Sequence, residues 1–137
     1  MTTVNPYLIF NGNCEEAFNF YKSVFGGEFP YMGRYKEMEC GGPVPENDAE
    51  KIMHVSLPIG DGTILMGGDC PESIEAVTQG NNFHVAIGVD SEQEAKRLFD
   101  GLSDGGEIVM PLGKTFFAKA FGMFVDRFGV RWMVNCE

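Results

Sequence analysis

The feature that most constrains the fold of this chain is an internal repeat. One order of predicted elements, a strand, a helix and three further strands, occurs twice along the 137 residues. Gly26-Gly27 ends the first predicted helix and Gly105-Gly106 ends the second, while Gly62 and Gly129 mark corresponding hairpin turns. Such a repeat is typical of a duplicated module. One copy is too small to bury its own sheet well, so we expect a single domain over residues 1–137.

The two modules cover about residues 1–70 and 81–137. Their pattern predicts an α+β fold, in which two tandem βαβββ modules form a curved, mixed and mainly antiparallel sheet of eight strands. The helices should cover its convex side and leave a pocket on the concave side. Residues 39–50 carry glycines, prolines and acids, which predicts a solvated loop inserted in the first module. A lid over the pocket is the alternative.

Each predicted helix begins with a capping box. Asn13 with Glu16 should begin a helix over about residues 14–25, and Ser91 with Glu94 should begin the second helix. Both boxes are local signals, because the capping side chain lies three residues from the group that it pairs with.

Acidic residues outnumber basic ones, 20 against 10, which gives a formal net charge of −10. This charge disfavours phosphate backbones and anionic membranes, so neither nucleic acid nor a membrane is expected as a partner. The sequence contains no run of about 18 apolar residues, which is the length that a helix needs to span a bilayer. The sequence also shows no secretory signal, which would consist of a charged segment followed by an apolar one. The expected location is therefore the cytoplasm.

The four cysteines are Cys14, Cys40, Cys70 and Cys136, and none belongs to a C-x-x-C pair. This spacing disfavours a structural zinc site. Without an export signal, free thiols are favoured over two disulfides. Cys14 lies at the start of a predicted helix, and a helix N-terminus lowers the pKa of a nearby thiol. Packing is nevertheless favoured over reactivity, because no histidine lies near it in sequence.

Residues 115–135 are predicted to form two strands joined by a tight turn. Asp126 should bond its own backbone there, and Gly129 permits a positive φ. Aromatic side chains are many in this segment and polar ones are few. That composition is typical of a wall lining an apolar pocket, and equally of an ordinary core.

The closing segment and the repeat together resemble the vicinal oxygen chelate superfamily, which has the glyoxalase/bleomycin-resistance fold, and more closely its PhnB-like branch. The resemblance covers nearly the whole chain and is carried by the following residues: Pro6 to Cys14, Ala17, Tyr21, His54, Gly60, Asp61, Thr115 to Ala118, Phe121, Gly122, Asp126, Phe128, Gly129 and Trp132 to Asn135. It implies paired βαβββ modules, a homodimer, and a small-molecule ligand held in the curved sheet.

Metal-dependent members similar to glyoxalase I hold a divalent ion with four side chains from the first and last strands of the modules. The resemblance places these positions at about Pro6 or Tyr7, Leu65 or Met66, His84, and Met133. Of these positions, only His84 carries a side chain that commonly binds metal ions. Met133 occupies the position where a carboxylate is expected. A divalent metal cofactor is therefore possible but not favoured. The missing carboxylate also removes the obvious general base, so no catalytic residue is assigned.

His54 and His84 are the only histidines. Strand alternation puts His54 on the side of Ile52 and opposite Val55, and it turns both His54 and His84 away from the apolar faces assigned to the helices and toward the pocket. Three interpretations stay open for both: histidines hydrogen-bonded in a partly buried setting, histidines that bind a ligand, or a metal site completed by other groups.

The remaining candidate ligand-binding residues are aromatic or thioether groups: Phe117, Phe121, Trp132 and Met133. Such groups suit an apolar or aromatic molecule, although each ring alone is more often part of a core. Lys119, Arg127 and Arg131 are candidates for binding an anion, and a role on an exposed strand face is favoured for them.

Three functions are compatible with these features. The first is a cytoplasmic small-molecule-binding protein of the PhnB-like branch, without a glyoxalase-type metal. The second is a divalent-metal-dependent lyase, isomerase or dioxygenase with an altered ligand set that includes His84. The third is a resistance protein that sequesters a planar drug. The sequence leaves open whether the chain is an enzyme and which ligand it takes.

Overall fold

A computed structural model describes residues 2–37 and 43–137 of the chain. The helices and strands of these residues occur in this order: β1 (Tyr7–Phe10), α1 (Cys14–Phe25), β2 (Tyr31–Arg34), β3 (Ile52–Ile59), β4 (Thr63–Asp69), β5 (Val85–Val89), α2 (Glu92–Ser103), β6 (Glu107–Gly113), β7 (Ala120–Val125) and β8 (Arg131–Cys136). This is the order βαβββ met twice, so the predicted α+β fold of tandem modules is confirmed. Within the described ranges, no helix is long and apolar enough to cross a membrane.

Each module contributes one four-stranded mixed sheet. The strand order is β1-β4-β3-β2 in the first sheet and β5-β8-β7-β6 in the second. In both sheets the first strand of the module runs parallel to the last one, and the other pairs are antiparallel. The chain divides into two compact units, one ending at Thr78 and one beginning at Gln79.

Helix α1 packs on the first sheet through its aromatic side chains. Phe18 and Tyr21 have no exposed surface, and neither do Val55 and Leu57 of β3. Gly67 of β4 allows the close approach, because a Cβ at this position would lie 2.6 Å from Cε1 of Phe18. A side chain there would push the helix away from the sheet.

A β-bulge at Met53 changes the alternation that was predicted for β3. The register pairs Gly33 with His54 and Arg34 with Ile52, so Met53 has no partner of its own on β2. Paired residues point to the same side of a sheet, whereas the neighbours Gly33 and Arg34 point to opposite sides. Ile52 therefore lies on the α1 side, where it is fully buried. The expectation that it shares the side of His54 is wrong.

Helix α2 covers one side of the second sheet. The Phe99 ring meets the Phe124 ring edge to face, with 5.1 Å between the centroids. Gly122 of β7 permits this packing, since a Cβ there would lie 2.6 Å from Cε2 of Phe99. Trp132 and Val134 of β8 are fully buried. Buried and partly exposed residues alternate strictly along β7 and β8, so α2 leaves the other side of these strands uncovered.

The two helices begin in different ways. Ser91 caps α2 as predicted, since its side chain accepts a hydrogen bond from the N–H of Glu94 at 3.1 Å. Asn13 makes no side-chain capping bond at α1, contrary to the prediction. The carboxylate of Asp69 at the end of β4 accepts the N–H of Cys14 instead, at 2.9 Å. The cap of α1 is therefore supplied by tertiary structure.

The turn between β7 and β8 is confirmed as predicted from Asp126 and Gly129. One Asp126 carboxylate oxygen accepts the N–H of Phe128 at 2.8 Å and that of Val130 at 3.0 Å. Gly129 has a φ of 88°. Its N–H also donates to the Asp126 carbonyl at 3.0 Å.

The described part of the predicted loop, residues 43–50, is tied to the first unit. Asp48 is buried, forms an ion pair with Lys51 at 2.8 Å and accepts the N–H of Glu72 at 3.0 Å. The bond from Lys51 first, and then that from Glu72, hold the pKa of Asp48 below its usual value. This part is therefore not simply a solvated insertion. Cys40 and the rest of residues 38–42 lie outside the described residues.

Candidate functional site

A histidine lies between two tyrosines on the side of the first sheet that faces away from α1. We call Tyr7 of β1, His54 of β3 and Tyr31 of β2 the Tyr–His–Tyr cluster. The His54 ring stacks on Tyr7 with 5.5 Å between centroids and lies 5.8 Å from the centroid of Tyr31. Met66 pairs with Tyr7 across β1 and β4, so it faces the same side. Alternation predicted this side for His54 but gave no sign of the two tyrosines.

The hydrogen bonds of the Tyr7 hydroxyl orient the His54 ring. This oxygen lies 3.2 Å from Nδ1 of His54 and 3.4 Å from the carbonyl oxygen of Met53. A phenol has one hydrogen, so when it donates to the carbonyl it accepts from Nδ1–H. That arrangement leaves Nε2 of His54 as a hydrogen-bond acceptor. Burial raises the pKa of Tyr7, which keeps the phenol protonated near neutral pH.

Two glycines make room for the tyrosine rings. A Cβ at Gly68 of β4 would lie 3.0 Å from the Tyr7 hydroxyl, so the ring of Tyr7 crosses β4 above a position without a side chain. A Cβ at Gly33 would collide with the hydroxyl of Tyr31. The cluster therefore depends on small residues that carry none of its chemistry, and these positions were not visible as site residues in the sequence.

The side of the second sheet away from α2 is apolar in its middle and polar at its ends. We call it the open face, and it is formed by three facing pairs: Phe121 with Asn135, Met123 with Met133, and Val125 with Arg131. All of these residues are partly exposed. Phe117 extends the face, because its ring meets that of Phe121 edge to face at 5.1 Å. The amide oxygen of Asn135 is buried and has no hydrogen-bond partner among the described residues.

Trp132 is expected to contact the ligand, but it lies on the opposite side of β8 from the open face. Its side chain is fully buried on the α2 side, and its Nε1–H donates to the carboxylate of Asp126 at 2.9 Å. The reason is strand alternation, because the neighbours Trp132 and Met133 must point to opposite sides of β8. Of this pair, only Met133 reaches the open face.

A cleft lies at the end of the open face that holds Arg131. Its volume is about 410 Å³, and its lining residues are Gln79, Gly80, Asn81, Val125, Gly129 and Arg131. Nε of Arg131 donates to the carbonyl of Gly80 at 3.2 Å. The side-chain amide of Gln79 donates to the carbonyl of Phe128 at 2.8 Å. These two bonds tie the segment that leads into β5 to the β7–β8 turn and to the start of β8.

The positions implied for metal ligands do not carry a suitable donor set. Tyr7 with Met66 in the first sheet, and Met133 in the second, supply a phenol and two thioethers, which are poor ligands for a hard divalent cation. His84 lies immediately before β5, where alternation gives it the side of Ala86, the partner of Met133. Within residues 2–37 and 43–137, no three His, Cys, Asp or Glu side chains are grouped to hold an ion.

Cys14 is placed as a packing residue rather than a reactive thiol. It is fully buried at the start of α1, beside the carboxylate of Asp69. Burial first, and then the charges of Asp69 and Glu15, raise the pKa of the Cys14 thiol far above its usual value. The thiolate that a nucleophile needs is therefore not formed near neutral pH. Cys14, Cys70 and Cys136 are all free and buried.

Comparison with known proteins decides the family. A model of the Glyoxalase/Bleomycin resistance protein/Dioxygenase superfamily matches residues 3–134. The chain belongs to this superfamily. Membership agrees with the tandem βαβββ order, and the resemblance carried by the closing segment is confirmed.

Individual superfamily relatives match along nearly their whole length. Protein YjdN of Escherichia coli (strain K12) is 31% identical over 141 residues, which cover 96% of this chain and 93% of YjdN. The crystal structure of protein PA1353 from Pseudomonas aeruginosa is 44% identical with a TM-score of 0.88, and the match covers 100% of this chain and 98% of that one. A PhnB protein from Bacillus cereus is 28% identical with a TM-score of 0.76, covering 99% and 100%.

Proposed function

We propose that this superfamily member is a small-molecule-binding protein that takes an apolar or aromatic ligand on the open face of its second sheet. The observation that carries the proposal is the row of aromatic and thioether side chains that α2 does not cover. Phe121, Met123 and Met133 lie side by side there, and Phe117 extends the row. Superfamily members bind small molecules, which supports the use of this face.

The chemistry of the face suits a flat apolar group. Covering apolar surface contributes about 25 cal/mol per Å² removed from water. Thioether sulfur also makes favourable contacts with aromatic rings and adapts its shape to them. Asn135 at one end and Arg131 at the other would orient the ligand along β8.

Phe121→Ala is expected to weaken the binding of aromatic compounds about tenfold, because it removes one wall of the open face. The measurement is the rise of Tm that a panel of aromatic compounds produces, since a ligand that binds the native state stabilises it. Phe83→Ala is the matched control, as Phe83 is exposed and stands before β5 outside the facing pairs. A panel without any Tm rise, or one equally active on Phe121→Ala, would contradict the proposal.

We further propose that the protein is a homodimer formed through the second unit. Superfamily members often dimerise. Several large apolar side chains of this unit are exposed, among them Ile108, Val109, Met110 and Phe116. Val109→Lys is expected to shift the natural chain from dimer toward monomer in sedimentation velocity. Val4→Lys adds the same charge in the first unit and should leave the dimer intact. A monomeric natural chain, or a dimeric Val109→Lys variant, would refute this assembly.

A further inference from the structure

We propose that the Arg131 cleft binds a carboxylate, so that the ligand is an aromatic or apolar carboxylic acid with its ring on the open face. The inference rests on the proposed function and names its ligand class. Two observations support it, the charge of Arg131 and the position of the cleft beside it. A site for a purely apolar ligand would need neither of them.

Arg131 differs from the other arginines in its partners. Arg34, Arg97 and Arg127 each form an ion pair, with Glu15, Glu94 and Asp104 respectively. For Arg131, no carboxylate lies within 4.0 Å in the part of the chain that the structure describes. Among the described residues, no carboxylate therefore offsets the charge of Arg131 at short range, although the chain has 20 acidic residues and 10 basic ones.

The guanidinium is held with its binding groups available. Only Nε is bonded to the main chain, at Gly80, and this bond fixes the plane of the group. A guanidinium held by Nε keeps terminal N–H donors, and such donors match the two oxygens of a carboxylate. The cleft beside it, at about 410 Å³, is large enough for a ligand group and lies within the usual range for small-molecule sites.

The spacing along β8 sets the shape of the ligand. Arg131 and Met133 lie two residues apart and point to the same side, which separates them by about 6.5–7 Å. A ring resting on Met133 and Phe121 would place a carboxylate at Arg131 when two or three methylene groups join the two. Val125 of β7 lines the cleft and pairs with Arg131 of β8, so the connecting methylenes would cover an apolar side chain.

Phenylbutyrate and its neutral isostere phenylbutyramide test this inference by isothermal titration. The natural chain should bind the acid about tenfold more tightly than the amide, as expected for a charge-assisted bond pair. Arg131→Gln should lose this preference and bind the acid and the amide about equally, while a far-UV circular dichroism spectrum like that of the natural chain shows that the variant is folded. Arg131→Lys should retain part of the preference, because it keeps the charge and loses the paired geometry.

Lys119→Gln is the matched control. It removes the same charge near the other end of β8, where the Lys119 N–H bonds to the Cys136 carbonyl. The acid preference should survive this change. Equal affinity of the natural chain for acid and amide, or an equal loss in Lys119→Gln and Arg131→Gln, would overturn the carboxylate inference and leave the apolar binding function standing. Binding of neither compound by the natural chain would contradict the proposed function, and the inference would fall with it.

Discussion

Asp69→Ala is expected to lower the free energy of unfolding by roughly 3 kcal/mol or more. The carboxylate joins the end of β4 to two other segments, the β1–α1 connection and the start of β3, because it accepts the backbone N–H groups of Gly12, Cys14 and Ile52, each at 2.9 Å. The last two bonds are buried. Each buried donor that loses its partner costs roughly 1–3 kcal/mol. Urea unfolding followed by far-UV circular dichroism measures the loss.

Two further variants separate this role from a general effect of charge. Asp69→Asn keeps one acceptor oxygen and should therefore cost less than Asp69→Ala. Asp61→Ala removes an exposed carboxylate in the β3–β4 turn and should change stability by less than about 0.5 kcal/mol. If Asp69→Ala were as stable as Asp61→Ala, the carboxylate would not hold these segments together.

Trp132→Ala and Met133→Ala should have opposite consequences although the residues are neighbours. Trp132→Ala should cost about 3–5 kcal/mol of stability, because it opens a cavity under α2 and removes the indole donor to Asp126. Met133→Ala should cost less than about 1 kcal/mol, since its side chain is partly exposed. Urea unfolding compares the two variants, and titration with phenylbutyramide measures binding, which should weaken several-fold in Met133→Ala.

A milder change keeps this comparison informative if Trp132→Ala fails to fold. Trp132→Phe retains an aromatic ring and loses the N–H, so it should cost roughly 1–3 kcal/mol and leave ligand affinity unchanged. A large loss of binding in Trp132→Phe, together with unchanged binding in Met133→Ala, would move the ligand to the other side of β8 and refute the open face as the site.

The net charge of −10 bears on how a carboxylate ligand could be accepted. Distant acids repel such a ligand, but salt at about 0.1 M screens charges beyond about 10 Å. The contact with a partly buried Arg131 is screened much less. Selectivity for the acid would therefore come from short-range hydrogen bonds in the cleft rather than from long-range attraction.

Much of the fold could be predicted because its signals are local. The diglycines, the Ser91 cap and the Asp126 turn are each determined by residues a few positions apart, and the structure agrees with them. Two of the failures involve partners distant in sequence. Asp69, which is 55 positions from Cys14, caps the helix in place of Asn13. A bulge, visible only against β2, returns Ile52 to the core.

The candidate site was predictable to a smaller extent. Phe121 and Met133 were expected on a binding face, and the structure places them side by side with Met123 on the open face. Their role as ligand contacts stays a prediction. The Tyr–His–Tyr cluster was missed because its rings come from three strands and meet only above glycines.

The sequence alone therefore determined the order of elements, the turns and the superfamily, since repeats, caps and motifs act over short distances. Only the tertiary structure decided which side of each strand is covered. Alternation separates residues into two sets, but a helix must pack on one set before the other becomes a possible binding face. That packing buries Trp132 and leaves Met133 and Arg131 on the open face, and the cleft beside Arg131 exists only once the segment from Gln79 to Asn81 lies against β8.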